Sequence, residues 1–230
     1  MASVTAARDD ALRCVLMRSA ILSGLATTLL LASAAPAVAA APAKPLTTAQ
    51  LSEALLTPED LGAAYAANPK HIREALDAES AHTKKCVRAM KALRPLLRSK
   101  AAVFIDKEGL PSGVKQFAIS GASAKLASWQ TVGKVMVQDC AGVRASTKDS
   151  KAAITKLSIG KFGSWSYGIR HKATMAKRNV ELQATDVVLI RVKNSVTLLV
   201  SEGFFGAFEP ALSKRAARLA VPKLLDAQRG

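Results

Sequence analysis

From Ser19 to Ala43 the chain carries no charged residue, and no other feature so limits which part of it folds and where. Arg8, Arg13 and Arg18 precede that run, and Ile21, Leu22, Leu25, Leu29, Leu30 and Leu31 make its apolar middle. Ala37-Val38-Ala39 then places small residues where a signal peptidase cuts. Residues 1–39 therefore read as a cleavable signal peptide, with cleavage after Ala41 as the second choice. Met17-Arg18 begins a leader of more usual length, so translation can start at Met1 or at Met17. The rival reading is an uncleaved anchor, since the uncharged run is long enough to cross a bilayer. Pro36, Pro42 and the weak apolarity beyond Leu31 oppose it.

Beyond the leader lie about 190 residues, enough for one domain that buries roughly 70% of its unfolded surface. Half the chain is hydrophobic but only 4% is aromatic, so alanine supplies much of the apolar share. Cys14 leaves with the leader. Cys86 and Cys140 remain, and a pair of cysteines in an exported chain most simply forms one disulfide. Closing a loop of about 55 residues would stabilise the fold by roughly 4 kcal/mol in the chain-entropy model. Two buried free thiols are the alternative.

Residues 40–45 read as a linker, and the domain as 46–226. Thr47 or Thr48 can cap a helix carrying Leu51, Ala54 and Leu55. Thr57-Pro58-Glu59-Asp60 restarts one, and Gly62 ends it. Residues 63–80 show weak periodicity and read as irregular or partly helical. A helix over 84–93 puts Cys86, Met90 (or Ala89) and Leu93 on one face, and Pro95 should end or kink it. Ala101–Asp106 and Gly113–Ser120 read as a hairpin. Ala122–Cys140 is the clearest helix, with Leu126, Trp129, Val132, Met136 and Cys140 on one stripe. Strands are expected at 153–159, 165–172, 180–192 and 196–202, with Lys193-Asn194-Ser195 as a tight turn, and a closing helix at 209–225. This order argues an α+β fold, an antiparallel sheet with helices packed on one face. No apolar run after the leader is long enough to cross a membrane.

The net charge of +16 is unevenly placed: residues 84–178 hold 20 Lys+Arg against 4 Asp+Glu. Such a field draws anions, and outside the cell the available polyanions are teichoic-type polymers, lipid headgroups and acidic proteins rather than nucleic acid. Lys84, Lys85, Arg88 and Lys91, with Arg94 and Arg98, fall on neighbouring rows of one helix face, which an anionic surface could engage together; a merely solvated face is the alternative. Trp165, Tyr167 and Phe162 lie near Lys161, Arg170 and Lys172, aromatic faces beside cations that could hold a sugar, headgroup or acidic partner. A strand packed into the core explains the same residues. His71, His82 and His171 show no zinc-protease spacing, and no Gly-x-Ser-x-Gly elbow or phosphate-cradling loop occurs. His71 and Glu74 would share a helix face, but two ligands do not make a metal site. No catalytic residue, metal or cofactor is therefore expected.

An exported leader, the opening LLTPEDLG (Leu55–Gly62), Cys86 starting one helix and Cys140 ending another, the hairpin DVVLIRVKNSVTLLV (Asp186–Val200) and a terminal helix together resemble the PknH-like extracellular domain. That family supplies the sensor module of certain bacterial serine/threonine kinases and also occurs as free-standing exported proteins. The resemblance spans roughly Leu46–Leu225 and implies an antiparallel sheet with helices on one side and a groove for a ligand. The chain departs from kinase-linked members in having two cysteines where they commonly carry four, and in lacking a kinase domain and a membrane helix after the sensor. What transfers is a fold and a binding role: an exported, non-enzymatic, extracellular domain, possible attachment to the wall included, for an anionic envelope component, lipid or acidic partner. A small exported hydrolase acting on wall or lipid is the main alternative, and a modulator of another exported protein is the third.

Overall fold

The computed structural model describes residues 44–68 and 83–229. The expected leader with Cys14, and His71, Glu74 and His82, lie outside the described residues. Residues 41–230 form one compact unit that contains every buried apolar residue among those described.

Two adjacent strands dictate the architecture. β7 (Glu181–Val192) and β8 (Ser195–Phe204) pair through the two-residue turn Lys193-Asn194, where Lys193 has φ +48°. Their sequences, Val-Val-Leu-Ile and Val-Thr-Leu-Leu-Val, are apolar without alternation, the pattern of a strand covered on both faces. The remaining strands extend the sheet on either side: β3 (Ser112–Ser120), β2 (Ala101–Lys107) and β1 (Tyr65–Ala67) on one, β6 (Trp165–Met175), β5 (Ser150–Lys156) and β4 (Arg144–Ser146) on the other. The order is β1-β2-β3-β8-β7-β6-β5-β4, with every pairing antiparallel. Both edges are three-residue strands, short enough to offer little backbone for pairing with another chain.

Period-two alternation sends each strand's residues into two separate cores. Val188, Ile190 and Val192 join Leu199 and Val114 in a core closed by α1 (Thr48–Glu53), α2 (Pro58–Leu61) and α6 (Leu212–Ala227). Val187 and Leu189 join Phe104, Phe117, Leu198 and Ile169 in a core closed by α3 (Lys84–Lys91), α4 (Arg94–Leu97) and α5 (Ser123–Cys140). The α+β class and the antiparallel sheet are as the sequence indicates. The expected pair α3 and α5 does share one face, but helices cover both, not one. A central hairpin apolar on both sides leaves no other stable arrangement.

Local chemistry explains where the helices begin. The Thr47 hydroxyl accepts from the Gln50 amide at 3.2 Å while the Gln50 side chain accepts from the Thr47 amide at 2.9 Å, a reciprocal cap. At α2 the Thr57 amide donates to Asp60 at 2.7 Å, and Gly62 ends the helix at φ +104°. Burial alone would raise the Asp60 carboxyl, but hydrogen bonds from Lys223, at 2.6 Å, and from Thr57 outweigh it and hold it below the usual range. The α1–α2 turn is fastened to the sheet where the Leu56 amide donates to buried Gln116 at 2.8 Å; Gln116 in turn donates to Thr197 at 3.2 Å. Pro95 both ends α3 and opens α4, at whose first turn its missing N–H costs nothing.

Cys86 and Cys140 form a disulfide that joins the first turn of α3 to the last turn of α5. Both are fully buried, among Ala89, Leu93, Met136 and Trp129. α5 lies close on the sheet because Gly133 faces Tyr167: a Cβ there would come within 2.4 Å of the ring. Reducing the bridge, or the pair Cys86→Ser and Cys140→Ser, is expected to cost about 4 kcal/mol and lower the melting temperature by roughly 10 °C. Thermal unfolding with and without reductant measures this.

Candidate functional site

The most exposed chemistry lies on α3 and α4. Lys84, Lys85, Arg88, Lys91, Arg94, Arg98 and Lys100 are all exposed, and no Asp or Glu occurs between Thr83 and Ile105. Cys86, Ala89, Met90, Leu93 and Leu96 turn the opposite side into the core, so sequence period alone segregates the cations outward. Among the described residues none of the seven cations is in an ion pair. Lys84 and Lys85 occupy the first turn of α3, where the helix already presents partial positive charge; a cation there is unfavourable by about 0.3–1 kcal/mol. The Thr83 hydroxyl accepts from the Cys86 amide at 3.3 Å and keeps the helix start defined despite them. The result is a row of cationic tips on a backbone fixed by the disulfide.

The aromatic and cationic residues of β6 do not come together as one cup. Trp165 and Tyr167 point to the α5 side, half-buried, with ring centroids 5.5 Å apart and Gly133 against Tyr167. Arg170 and Lys172 have the other parity and project from the opposite face. Lys172 pairs with Glu181 at 2.9 Å. Arg170 holds Asp186, whose carboxylate is fully buried, through Nε at 2.6 Å and Nη2 at 2.8 Å. A third Arg170 hydrogen bond reaches the Pro210 carbonyl at 3.1 Å, and the guanidinium stacks 5.0 Å from the Phe208 ring centroid. Hydrogen bonding to Asp186 pushes the guanidinium further above its already high value, against burial.

The Ser213 hydroxyl also donates to Asp186. Ser213 stands in the first turn of α6, so this carboxylate fixes where that helix begins. Ser213 and Asp186 are a hydroxyl and an acid in contact, yet both are buried, the acid is saturated by Arg170, and His171 lies on the other face of the sheet. Beside them Tyr65 donates to Glu209 at 3.0 Å and accepts from Arg215 at 2.9 Å. Burial, then the Glu209 hydrogen bond, pushes the phenol above its ordinary value and keeps it protonated. On the α5 side buried Lys115 pairs with half-buried Glu202 at 2.6 Å. Sequence reasoning missed these pairs because period-two spacing marks a face but not which charges meet across strands. Among the described residues no group of three His, Cys, Asp or Glu side chains could hold a metal, and no helix is long and apolar enough to cross a membrane.

No protein-family model and no curated protein matches the chain. Among solved structures it is similar to the extracellular domain of PknH from Mycobacterium tuberculosis, at 12% identity and a TM-score of 0.52, covering 81% of this chain and 98% of that one. It is also similar to an uncharacterized protein from Mycobacterium smegmatis, at 8% identity and a TM-score of 0.44, over 80% of this chain and 97% of that one. At such identities the likeness to the PknH domain is one of fold. The class of protein is thus an α+β domain that shares its fold with the PknH extracellular domain.

Arg170→Ala is expected to destabilise the domain by about 3–5 kcal/mol, since it strands a buried carboxylate. Arg170→Lys should restore only part, because an ammonium cannot reproduce the two-pronged contact. Urea denaturation of the three proteins measures both.

Proposed function

We propose that the chain is an exported, non-enzymatic, sensor-like domain of the PknH-like extracellular kind, whose α3–α4 face binds a polyanionic component of the cell envelope. The observation that carries this reading is the run of seven exposed cations with no intervening carboxylate, held on a disulfide-fixed backbone. Cations kept in a helix's first turn against its own dipole make sense when an external anion supplies the compensating charge. The architecture shared with the PknH domain supports a binding role, and the disulfide fits an oxidising space outside the cytoplasm. Spaced by three and four along the helix, Lys84, Arg88 and Lys91 can meet successive phosphates of a linear polymer. The hydrolase reading has less support: the fully buried hydroxyl–carboxylate contact, Ser213 with Asp186, serves the packing of α6.

Calorimetric titration of residues 41–230 with polyglycerol phosphate tests this. Affinity should fall roughly tenfold between 50 and 300 mM salt, because exposed charges are screened over about 6–14 Å in that range. The triple variant Lys84→Glu, Arg88→Glu, Lys91→Glu should lose binding while still folding and melting cooperatively, since an acid at position 84 suits the helix start and offsets part of the cost of acids at 88 and 91 in the last turn. Equal binding by parent and variant would overturn the assignment.

A further inference from the structure

Four large apolar side chains are exposed among the described residues: Leu110 at 46%, Met175 at 41%, Val180 at 48% and Phe205 at 77%. They come from three separate stretches of the sequence, yet the register collects them. Ser112 pairs with Gly203, Gln183 with Phe204, and Thr174 with Glu181. The β2–β3 turn, the end of β8 and the β6–β7 turn therefore all emerge at the same end of the sheet. With strands about 4.8 Å apart, the three turns stand in a row roughly 15 Å long. At the opposite end, Ile159 is buried and Phe162 half-buried, and no large apolar residue described there is exposed.

The turns present these side chains firmly. Phe205 has φ +54°, a conformation a bulky residue rarely adopts, and its amide donates to the Leu182 carbonyl at 3.0 Å. Phe204 donates to the Pro111 carbonyl at 2.9 Å, which ties the Phe205 turn to the Leu110 turn. The Met175 amide donates to the Val180 carbonyl at 2.8 Å, closing the third turn. Strained backbone that holds an aromatic ring out in water does nothing for the core.

Charge flanks the row on one side. Lys177 and Arg178 share the turn with Met175 and Val180, Lys148 belongs to the adjoining β4–β5 turn and Lys151 to the start of β5, all exposed; the Ala176 amide donates to the Asp149 carbonyl at 2.9 Å and joins the two turns. The carboxylates of this end are Glu108, Asp149 inside the β4–β5 turn, Asp106 bonded to Asn68, Glu181 already paired with Lys172, Glu202 with Lys115, and Glu209 with Lys107 and Arg215. Separate protruding apolar tips beside cations suit a soft, anionic, disordered surface better than a flat protein face, which would need one continuous apolar patch.

We infer that this end of the sheet docks onto an anionic lipid bilayer, with Phe205, Leu110, Val180 and Met175 entering the headgroup layer and Lys148, Lys151, Lys177 and Arg178 meeting lipid phosphates. None of the α3–α4 cations takes part, so this docking stands apart from the polyanion reading. Co-sedimentation of residues 41–230 with phosphatidylglycerol–phosphatidylcholine vesicles, and with phosphatidylcholine alone, tests it. Binding is expected to the first far more than to the second. It should weaken about tenfold or more in Phe205→Ser/Leu110→Ser and in Lys177→Glu/Arg178→Glu, because apolar burial and charge attraction act together at an interface. Phe205→Gly, which the positive φ accommodates, guards against misfolding and should weaken binding alone, with the melting temperature unchanged. Vesicle binding unaltered by the tip variants, no vesicle binding at all, or concentration-dependent self-association abolished by Phe205→Ser would each overturn the proposal. Loss of polyglycerol-phosphate binding in the α3 variant, with vesicle binding intact, would support two separate surfaces.

Discussion

A strand buried on both faces has no side on which to put a polar residue cheaply, and β7 and β8 are two such strands side by side. From Ala184 to Ile190 and from Ser195 to Ser201 every residue is buried. Each must be covered by something, and the sheet itself stays open, with β1 and β4 as its edges. Helices on both faces are the consequence: α1, α2 and α6 on one, α3, α4 and α5 on the other. The two cores share the hairpin, so loss of either layer would expose apolar surface on strands that the other layer still holds.

Asp186 shows what this constraint demands of a polar group. A carboxylate in the middle of such a strand costs several kcal/mol to desolvate and is tolerable only with near-complete hydrogen bonding. Arg170 from the neighbouring strand and Ser213 from the covering helix provide it. The same contacts set the β6–β7 register, the start of α6 and the path of the chain through Phe208 and Pro210. A single buried charge thereby ties three elements together through hydrogen bonds of fixed direction.

Much of the fold was legible because its signals are periodic. The stripe through Leu126, Trp129, Met136 and Cys140 marked α5 nearly to the residue, and the Asp186–Val200 run marked the central hairpin. β1 and β4 were illegible: a three-residue edge strand held by backbone pairing carries no period. β5 begins and ends three residues before the expected 153–159, because Leu157 and Ile159 look like its continuation, whereas they leave the strand and pack into the other core. The placement of helices on both faces was written in the lack of alternation in β7 and β8, a sign easily taken for a merely hydrophobic strand. Of the candidate site, the basic helix face was visible in its spacing. The β6 aromatics and cations were adjacent in sequence, but adjacency in a strand alternates faces, and that alternation separates them.

The surfaces assigned to binding share a property that sets them apart from the rest of the molecule. Where a residue serves the fold here, local rules and global packing agree: Thr47 and Thr57 cap, Gly62 terminates, Gly133 makes room for Tyr167. Where they disagree, the fold gains nothing. Lys84 and Lys85 oppose the dipole of their own helix, and Phe205 holds a left-handed backbone conformation with its ring in solvent. Neither can be a by-product of core formation, since a neutral residue at the first site and glycine at the second would satisfy every contact the core makes. Local conflict without structural return is the ground on which both surfaces are proposed for binding.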